Sequence, residues 1–182
     1  MRFRELELSG AYLIELERHE DERGFFARTF DRAAFAELGL AGEVVQANTA
    51  FNSRRGTLRG MHFQAAPHEE AKLVRCTRGA VYDVIVDLRP GSPTFTRWVS
   101  VELTADNDAM VYVPPAFAHG YQTLADETET AYLMSAAYAS DAARGVRWDD
   151  PAFGIEWPEA AERVMNERDR TWPDFNPDAA GA

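Results

Sequence analysis

The chain has 182 residues, of which 46% are hydrophobic and 12% aromatic, enough to bury a core and too apolar for a disordered chain. Its formal charge is −11, from 30 acidic residues against 19 lysines and arginines. That balance excludes nucleic acid as a partner, because a phosphate backbone needs a basic face, while one phosphorylated small molecule could still be held by a few local arginines. Cys76 is the single cysteine, so no internal disulfide can form and a reducing, cytoplasmic setting is favoured. Met1–Gly10 alternates charged and apolar residues, and no later stretch approaches the roughly 20 apolar residues of a membrane span. A soluble, cytoplasmic protein with no membrane partner is expected, built as one domain over residues 1–182.

In chain order, a helix is expected over Arg32–Leu38, with a start signal at Asp31 and a stop at Gly39. Thr57–Gln64 alternates polar and apolar residues. Leu73–Cys76 and Ala80–Leu88 are β-branched runs split by Thr77-Arg78-Gly79, a hairpin signal. In the second run Tyr82, Val84, Val86 and Leu88 share one face and Val81, Asp83, Ile85 and Asp87 the other, so the acidic face is not simply core. Arg89–Pro93 is a turn, followed by a strand over about Thr94–Leu103. After a second turn at Ala105–Asp108 comes a strand over Met110–Val113, broken by Pro114-Pro115, and another over Ala131–Tyr138. Pro158–Val164 predicts a short helix, and the tail should be loosely held from about residue 174. Strands recurring at short intervals between turns predict an all-β sandwich or barrel.

Four histidines are present. His19 and His68 sit among charged residues and read as solvated. His62 lies in Leu58-Arg59-Gly60-Met61-His62-Phe63-Gln64, and His119 follows a rigid Pro114-Pro115 corner and precedes Gly120. On a regular strand Arg59 and His62 would face opposite ways, but Gly60 permits a bulge that would bring them together. Both histidines could be core residues satisfied by backbone or functional ones; residue type alone leaves both readings open. A mononuclear metal site would want two histidines one residue apart, on one strand face. The position after His62-Phe63 is Gln64, and His119 has no ligand-type neighbour, so no metal is expected. His62 then stands as a free base near neutral pH. Arg23, Arg54, Arg55, Arg59, Lys72 and Arg75 make a local excess of cations suited to an anion, although Arg54, Arg55 and Arg78 fit solvated surface charge equally well. Tyr132 and Tyr138, at even spacing, should share a face as packing residues or proton donors.

Asp21-Glu22-Arg23-Gly24-Phe25-Phe26, Gln46-Ala47-Asn48, Leu58–Gln64, Ala71–Val74, Tyr82–Arg89, Ser92–Phe95 and Phe117–Gly120 occur in the order of one known family. Asp149-Asp150-Pro151, Trp157-Pro158 and Arg168-Asp169 close the series. Over about residues 3 to 173 the chain resembles the dTDP-4-dehydrorhamnose 3,5-epimerases. The resemblance implies a metal-free cupin-type β jelly roll with a few short helices. It implies a homodimer needing no cofactor and a nucleoside-diphosphate 4-keto-6-deoxy sugar as substrate, in deoxysugar biosynthesis. It also assigns roles: His62 as base, Asp169 as its partner, Tyr132 as acid, and Lys72 and Arg59 near the C4 oxygen. Arg23, Arg28, Gln46, Asn48, His119, Tyr138 and Arg168 fall at substrate-binding positions. No Gly-x-Gly-x-x-Gly run is present.

Three positions depart from the family's pattern. Arg28 stands where a glutamate is usual two residues after Phe-Phe, Ala142-Ala143-Arg144 lacks a glutamate, and Arg168 replaces a lysine. These changes imply retained enolate chemistry with an altered substrate: another base, another sugar, or inversion at one carbon. The alternatives are a sugar-nucleotide 3-epimerase or 3,4-ketoisomerase on the same fold, or a sugar-nucleotide binding protein without catalysis.

Overall fold

A computed structural model of the chain describes residues 1–177. The strands are β1 (Arg2–Glu5), β2 (Tyr12–Glu15), β3 (His19–Asp21), β4 (Gly24–Phe26), β5 (Gln46–Asn52), β6 (Leu58–Gln64), β7 (Lys72–Arg78), β8 (Ala80–Asp87), β9 (Trp98–Thr104), β10 (Met110–Val113), β11 (Phe117–Thr123), β12 (Thr128–Met134) and β13 (Ala143–Gly145). Helix α1 (Arg32–Glu37) follows β4, and α2 (Glu167–Arg170) lies near the end. The strands form a six-stranded sheet in the order β1-β2-β10-β7-β12-β5 and a five-stranded sheet in the order β13-β6-β11-β8-β9, with β3 and β4 as a separate hairpin. The named strand pairs are antiparallel, as the all-β expectation requires. Two such sheets packed face to face make the cupin-type jelly roll.

Alternation within each strand sorts side chains into three layers. Between the sheets Val74 and Cys76 of β7, Val81 and Ile85 of β8, and Val111 and Val113 of β10 are buried together. On the far side of the six-stranded sheet α1 inserts Phe35 against Ile14, Leu73, Met110 and Tyr112. Asp31 caps that helix by accepting from the Ala33 and Ala34 amides, so its start falls at the expected residue. On the far side of the five-stranded sheet the chain after β13 lays Phe153, Ile155 and Trp157 over Val84, Val86 and Met61.

Several sequence expectations are corrected. β7 and β8 belong to different sheets, so Thr77-Arg78-Gly79 is a crossover between layers and not a hairpin; the chain turns there at Gly79, whose φ is +76°. The strand expected from Thr94 begins at Trp98, because Thr94 turns back to hydrogen-bond Asp87. The last long strand ends at Met134, four residues before Tyr138. Pro158–Val164 is not helical: Val164 instead bonds through its backbone to Gly56 and Leu58, an extended bridge that holds the chain to β6. His119 lies inside β11, a fully buried strand, beyond the proline corner. Of the tail expected to be loose, Asp174 pairs with Arg147 and Phe175 stacks on Phe153; residues 178–182 lie outside the described residues. Among the described residues no helix is long and apolar enough to cross a membrane.

The bulge anticipated at Gly60 is present. His119 pairs with His62 and Tyr121 with Arg59, so three residue steps on β6 face two on β11, and Arg59 and His62 come to one face. The strands approach so closely there that a Cβ on Gly60 would lie 2.6 Å from the Gly120 Cα, and one on Gly120 would lie 2.7 Å from the Met61 sulfur and 2.8 Å from the Arg59 carbonyl oxygen. Gly120→Ala is expected to cost about 1–3 kcal/mol by overpacking, read as a lower urea midpoint; an unchanged midpoint contradicts the close approach.

Asp87 anchors the turn after β8. Burial alone would raise its pKa, but bonds from Arg89, Ser92 and Thr94 outweigh it and bring the carboxyl down to about 2 from an ordinary 3.8. A depressed carboxylate stabilises the fold above its unfolded pKa and loses that contribution as pH falls through the folded one. Between about pH 4 and pH 2, Asp87→Asn should therefore lose about 2 kcal/mol less stability than the parent. Urea unfolding across that range checks this, and equal slopes contradict it.

Candidate active site

A cavity of about 570 Å³ opens between the sheets, within the range of small-molecule sites. The five-stranded sheet supplies Arg59, His62 and Gln64 from β6 and His119 and Tyr121 from β11. The opposing sheet supplies Gln46 and Asn48 from β5, Lys72 from β7 and Tyr132 from β12. Beyond the strands, Tyr138, Arg168 and Asp169 complete the rim and floor. Ten of the twelve site residues expected from the sequence thus converge. Arg23 and Arg28 do not reach this chain's cavity: Arg23 pairs with Asp21 in the β3–β4 hairpin, and Arg28 pairs with Asp31 at α1.

The surroundings of His62 are built by β6 and α2 together. The bulge turns His62 into the cavity, and its Nε2 lies 2.7 Å from Asp169 Oδ1. Asp169 is almost wholly buried, yet both of its oxygens are bonded, the second accepting from the Gly60 N–H at 3.2 Å. Helix α2 delivers it: Asn166 caps that turn by accepting from the Asp169 amide. Trp172 locks the helix in place, since its ring occupies the space a Cβ on Gly145 would need, and Arg168 lies over the same ring at 4.8 Å.

A second His–carboxylate pair stands beside the first. His119 Nε2 lies 2.8 Å from Asp83 Oδ2, which explains the acidic residue on the inward face of β8. Neither histidine is therefore satisfied by backbone alone. His19 and His68 are exposed, as expected of solvated side chains.

Lys72 is buried and donates to the His62 carbonyl oxygen at 3.0 Å, and it pairs with Glu70 at 3.2 Å. Burial pushes its ammonium pKa below the ordinary lysine value, opposed by the nearby charges of Glu70 and Asp83. Arg59 is aimed by Asn52, whose side-chain oxygen accepts from its Nε at 2.7 Å. Burial raises the Tyr132 hydroxyl above its ordinary pKa, Tyr121 adds to the rise, and Arg59 opposes it. Tyr132 therefore stays protonated at neutral pH and can act as an acid. The other cations of the sequence cluster are elsewhere: Arg54 pairs with Glu162, Arg78 pairs with Glu127, and Arg55 is exposed. Arg75 faces the outer side of its sheet, beside Leu73 and Ala131.

Sequence reasoning missed Glu70, Tyr121, Asp83 and Asn52. Tyr121 lies two residues from His119 on the same face of β11, and period-two spacing could have found it; Glu70 precedes β7, where no strand alternation points to it. Asn52 carried no such signal, because its partner Arg59 is placed by the bulge.

The fold and cavity define a jelly-roll protein with a His–Asp pair, a protonated tyrosine and a buried lysine around one small-molecule site. The family model for dTDP-4-dehydrorhamnose 3,5-epimerase matches residues 5–177, and the chain belongs to that family of isomerases. It is 44% identical over 177 residues, 95% of this chain and 89% of the relative, to the dTDP-4-dehydrorhamnose 3,5-epimerase of Sinorhizobium fredii. The crystal structure of dTDP-4-dehydrorhamnose 3,5-epimerase from Elizabethkingia anophelis superposes with a TM-score of 0.93 at 38% identity, covering 96% of each chain. ChmJ, a 3′-monoepimerase from Streptomyces bikiniensis solved with dTDP-quinovose, superposes at 0.86 with 36% identity over 93% of this chain and 85% of its own.

Asp169→Asn keeps the shape but removes the negative charge beside His62. The expected outcome is a loss of epimerase turnover of about 10²–10⁴-fold, because Asn holds the imidazole in the other tautomer, with an unchanged urea midpoint; full turnover in the variant contradicts the pairing.

Proposed function

We propose that this chain is an epimerase of nucleoside-diphosphate 4-keto-6-deoxy sugars that inverts C3, C5 or both through an enolate. The observation that carries this reading is the placement of His62, bonded to Asp169 of α2, on one sheet and Tyr132 on the sheet facing it. A carbon held between them meets a base on one side and an acid on the other. Inversion needs that arrangement.

Hydrogens on C3 and C5 are acidic because the C4 ketone accepts the electron pair. His62 takes the proton through the ring nitrogen not bound by Asp169, the C–H electrons become the enolate double bond, and negative charge moves to the C4 oxygen. Lys72 and Arg59 supply positive charge to that oxygen, an interaction that strengthens as the enolate forms. Tyr132 then gives its proton to the other face of the carbon. Solvent takes the proton from His62 and restores the one on Tyr132, so each inverted carbon carries a hydrogen derived from water. Gln46, Asn48, His119, Tyr138 and Arg168 hold the sugar and diphosphate around this centre, and no step requires a metal or redox cofactor.

The altered-substrate reading loses the support of Arg28, which pairs with Asp31 at the surface. It rests instead on Ala143 and Arg168, both of which line the cavity. The likeness to a 3′-monoepimerase favours inversion at one carbon as the second reading. A homodimer and a cytoplasmic setting belong to the same proposal. Phe25 and Phe26 on the hairpin, Phe51 on β5 and Val45 just before it are exposed apolar residues, a surface suited to a second copy.

Incubation with dTDP-4-keto-6-deoxyglucose in deuterated water, read by NMR, should place deuterium at C3, C5 or both, with connectivity unchanged. Tyr132→Phe should still exchange hydrogen but lose inversion by about 10²-fold or more. A product with a moved carbonyl overturns the epimerase reading, and no exchange with any such sugar overturns catalysis.

A further inference from the structure

The cavity contains three acid–base pairs, and the assigned roles use only part of them. Asp169 is committed to His62 and Asp83 to His119. The third pair is Glu70 with Lys72, Oε1 to Nζ at 3.2 Å. Glu70 lies two residues before Lys72, on the segment entering β7, and both side chains are more than nine-tenths buried. Its other oxygen, Oε2, is buried and accepts no hydrogen bond. No backbone amide or hydroxyl therefore spreads the charge at Oε2, and Lys72 is the ion-pair partner of Glu70 among the described residues.

A buried carboxylate with one bare oxygen is costly as a stabilising device. It makes sense when the charge itself is needed. An ammonium in this position is also costly, because burial favours its neutral form, and a neutral amine would offer little to a developing oxyanion. Two of the three N–H donors of Lys72 are taken, one by Glu70 and one by the His62 carbonyl oxygen. The third is left for a ligand oxygen. The same contacts tie the lysine to the backbone of the proposed base, so its position is set relative to the carbon that loses a proton.

We propose that Glu70 is a positioning residue that keeps Lys72 cationic and aimed at the substrate's carbonyl oxygen, so that the enolate forms against a full positive charge. This rests on the epimerase reading and adds a residue to it. Glu70 acts through Lys72 and touches no reacting atom. The other charged or titratable groups around Lys72 are Arg59 and His62 from β6, Asp83 from β8, His119 and Tyr121 from β11, Tyr132 from β12, Tyr138 after it, Arg144 from β13, and Arg168 and Asp169 from α2. Asp83 helps hold the cation, but one of its oxygens is already engaged by the His119 ring. Burial lowers the lysine's pKa and Glu70 opposes that effect, so removing the Glu70 charge should let Lys72 discharge at lower pH.

The experiment is the solvent-exchange rate of dTDP-4-keto-6-deoxyglucose at saturating substrate, measured against pH for the parent, Glu70→Gln and Lys72→Arg. Glu70→Gln keeps size and one acceptor oxygen but removes the charge. Its alkaline limb should move toward acid by about one pH unit or more, while the rate well below the limb stays within a few-fold of the parent. Lys72→Arg cannot discharge in this range, so the lower alkaline limb should vanish and leave only a higher one from Tyr132. An unmoved limb in Glu70→Gln, or a loss uniform across pH, overturns the inference. If Glu70→Gln does not fold, Lys72→Arg decides it: a lower alkaline limb that persists there shows that Lys72 does not set it, and the inference fails. Absence of exchange in the parent enzyme would instead overturn the epimerase reading, so the two failures are distinguishable.

Discussion

Asp169 holds the site together by gripping the bulge in β6 from behind. One oxygen takes the ring of His62 and the other takes the Gly60 N–H, a donor in the irregular stretch of the strand. Gly60 can be irregular because Gly120 faces it with no side chain, and a Cβ on either residue would collide with the other strand. The bulge then places Arg59 and His62 on one face, and β11 places His119 directly across from His62. Backbone contact and side-chain chemistry are therefore one constraint. A carboxylate buried this deeply is tolerable because both oxygens are satisfied.

Charge is distributed against the trend of the whole chain. The sequence carries −11, yet Arg59, Lys72, Arg144 and Arg168 line one cavity. A negatively charged surface around a locally cationic site suits a single anionic ligand and disfavours polyanions. Inside the cavity each buried carboxylate faces its own cation or histidine, which is how a low-dielectric site keeps charges in defined states. Lysine and tyrosine are shifted in opposite directions by the same cause: burial disfavours the charged form of each, lowering Lys72 and raising Tyr132.

Much of this was legible in the sequence, for reasons that differ by element. Period-two alternation revealed the strands and the two faces of Ala80–Asp87, and the Asp31 cap located α1, because those signals are local. The bulge was legible because Arg59 and His62 sit three apart around a glycine. The crossover at Gly79 was not, since a turn signal does not say whether the next strand pairs with the last or enters the other sheet. Pro158–Val164 read as a helix because its neighbours favour one, but a parallel bridge to Thr57 drew Val164 into an extended form, a tertiary contact invisible locally. The partnership of His62 and Asp169, 107 residues apart, was implied only by family resemblance. Glu70 escaped notice because a glutamate in an acidic stretch reads as surface, and only its burial gives it meaning.

The proposed proton transfer requires the sugar ring to sit between His62 and Tyr132. A crystal structure with dTDP-xylose, or another unreactive sugar nucleotide, reads that directly. C3 or C5 should lie within about 3.5 Å of the free ring nitrogen of His62, with the Tyr132 hydroxyl on the opposite face of the ring and Lys72 beside the C4 oxygen. A sugar bound with both residues on the same face, or with its ring outside the space between the sheets, would contradict inversion by these two groups.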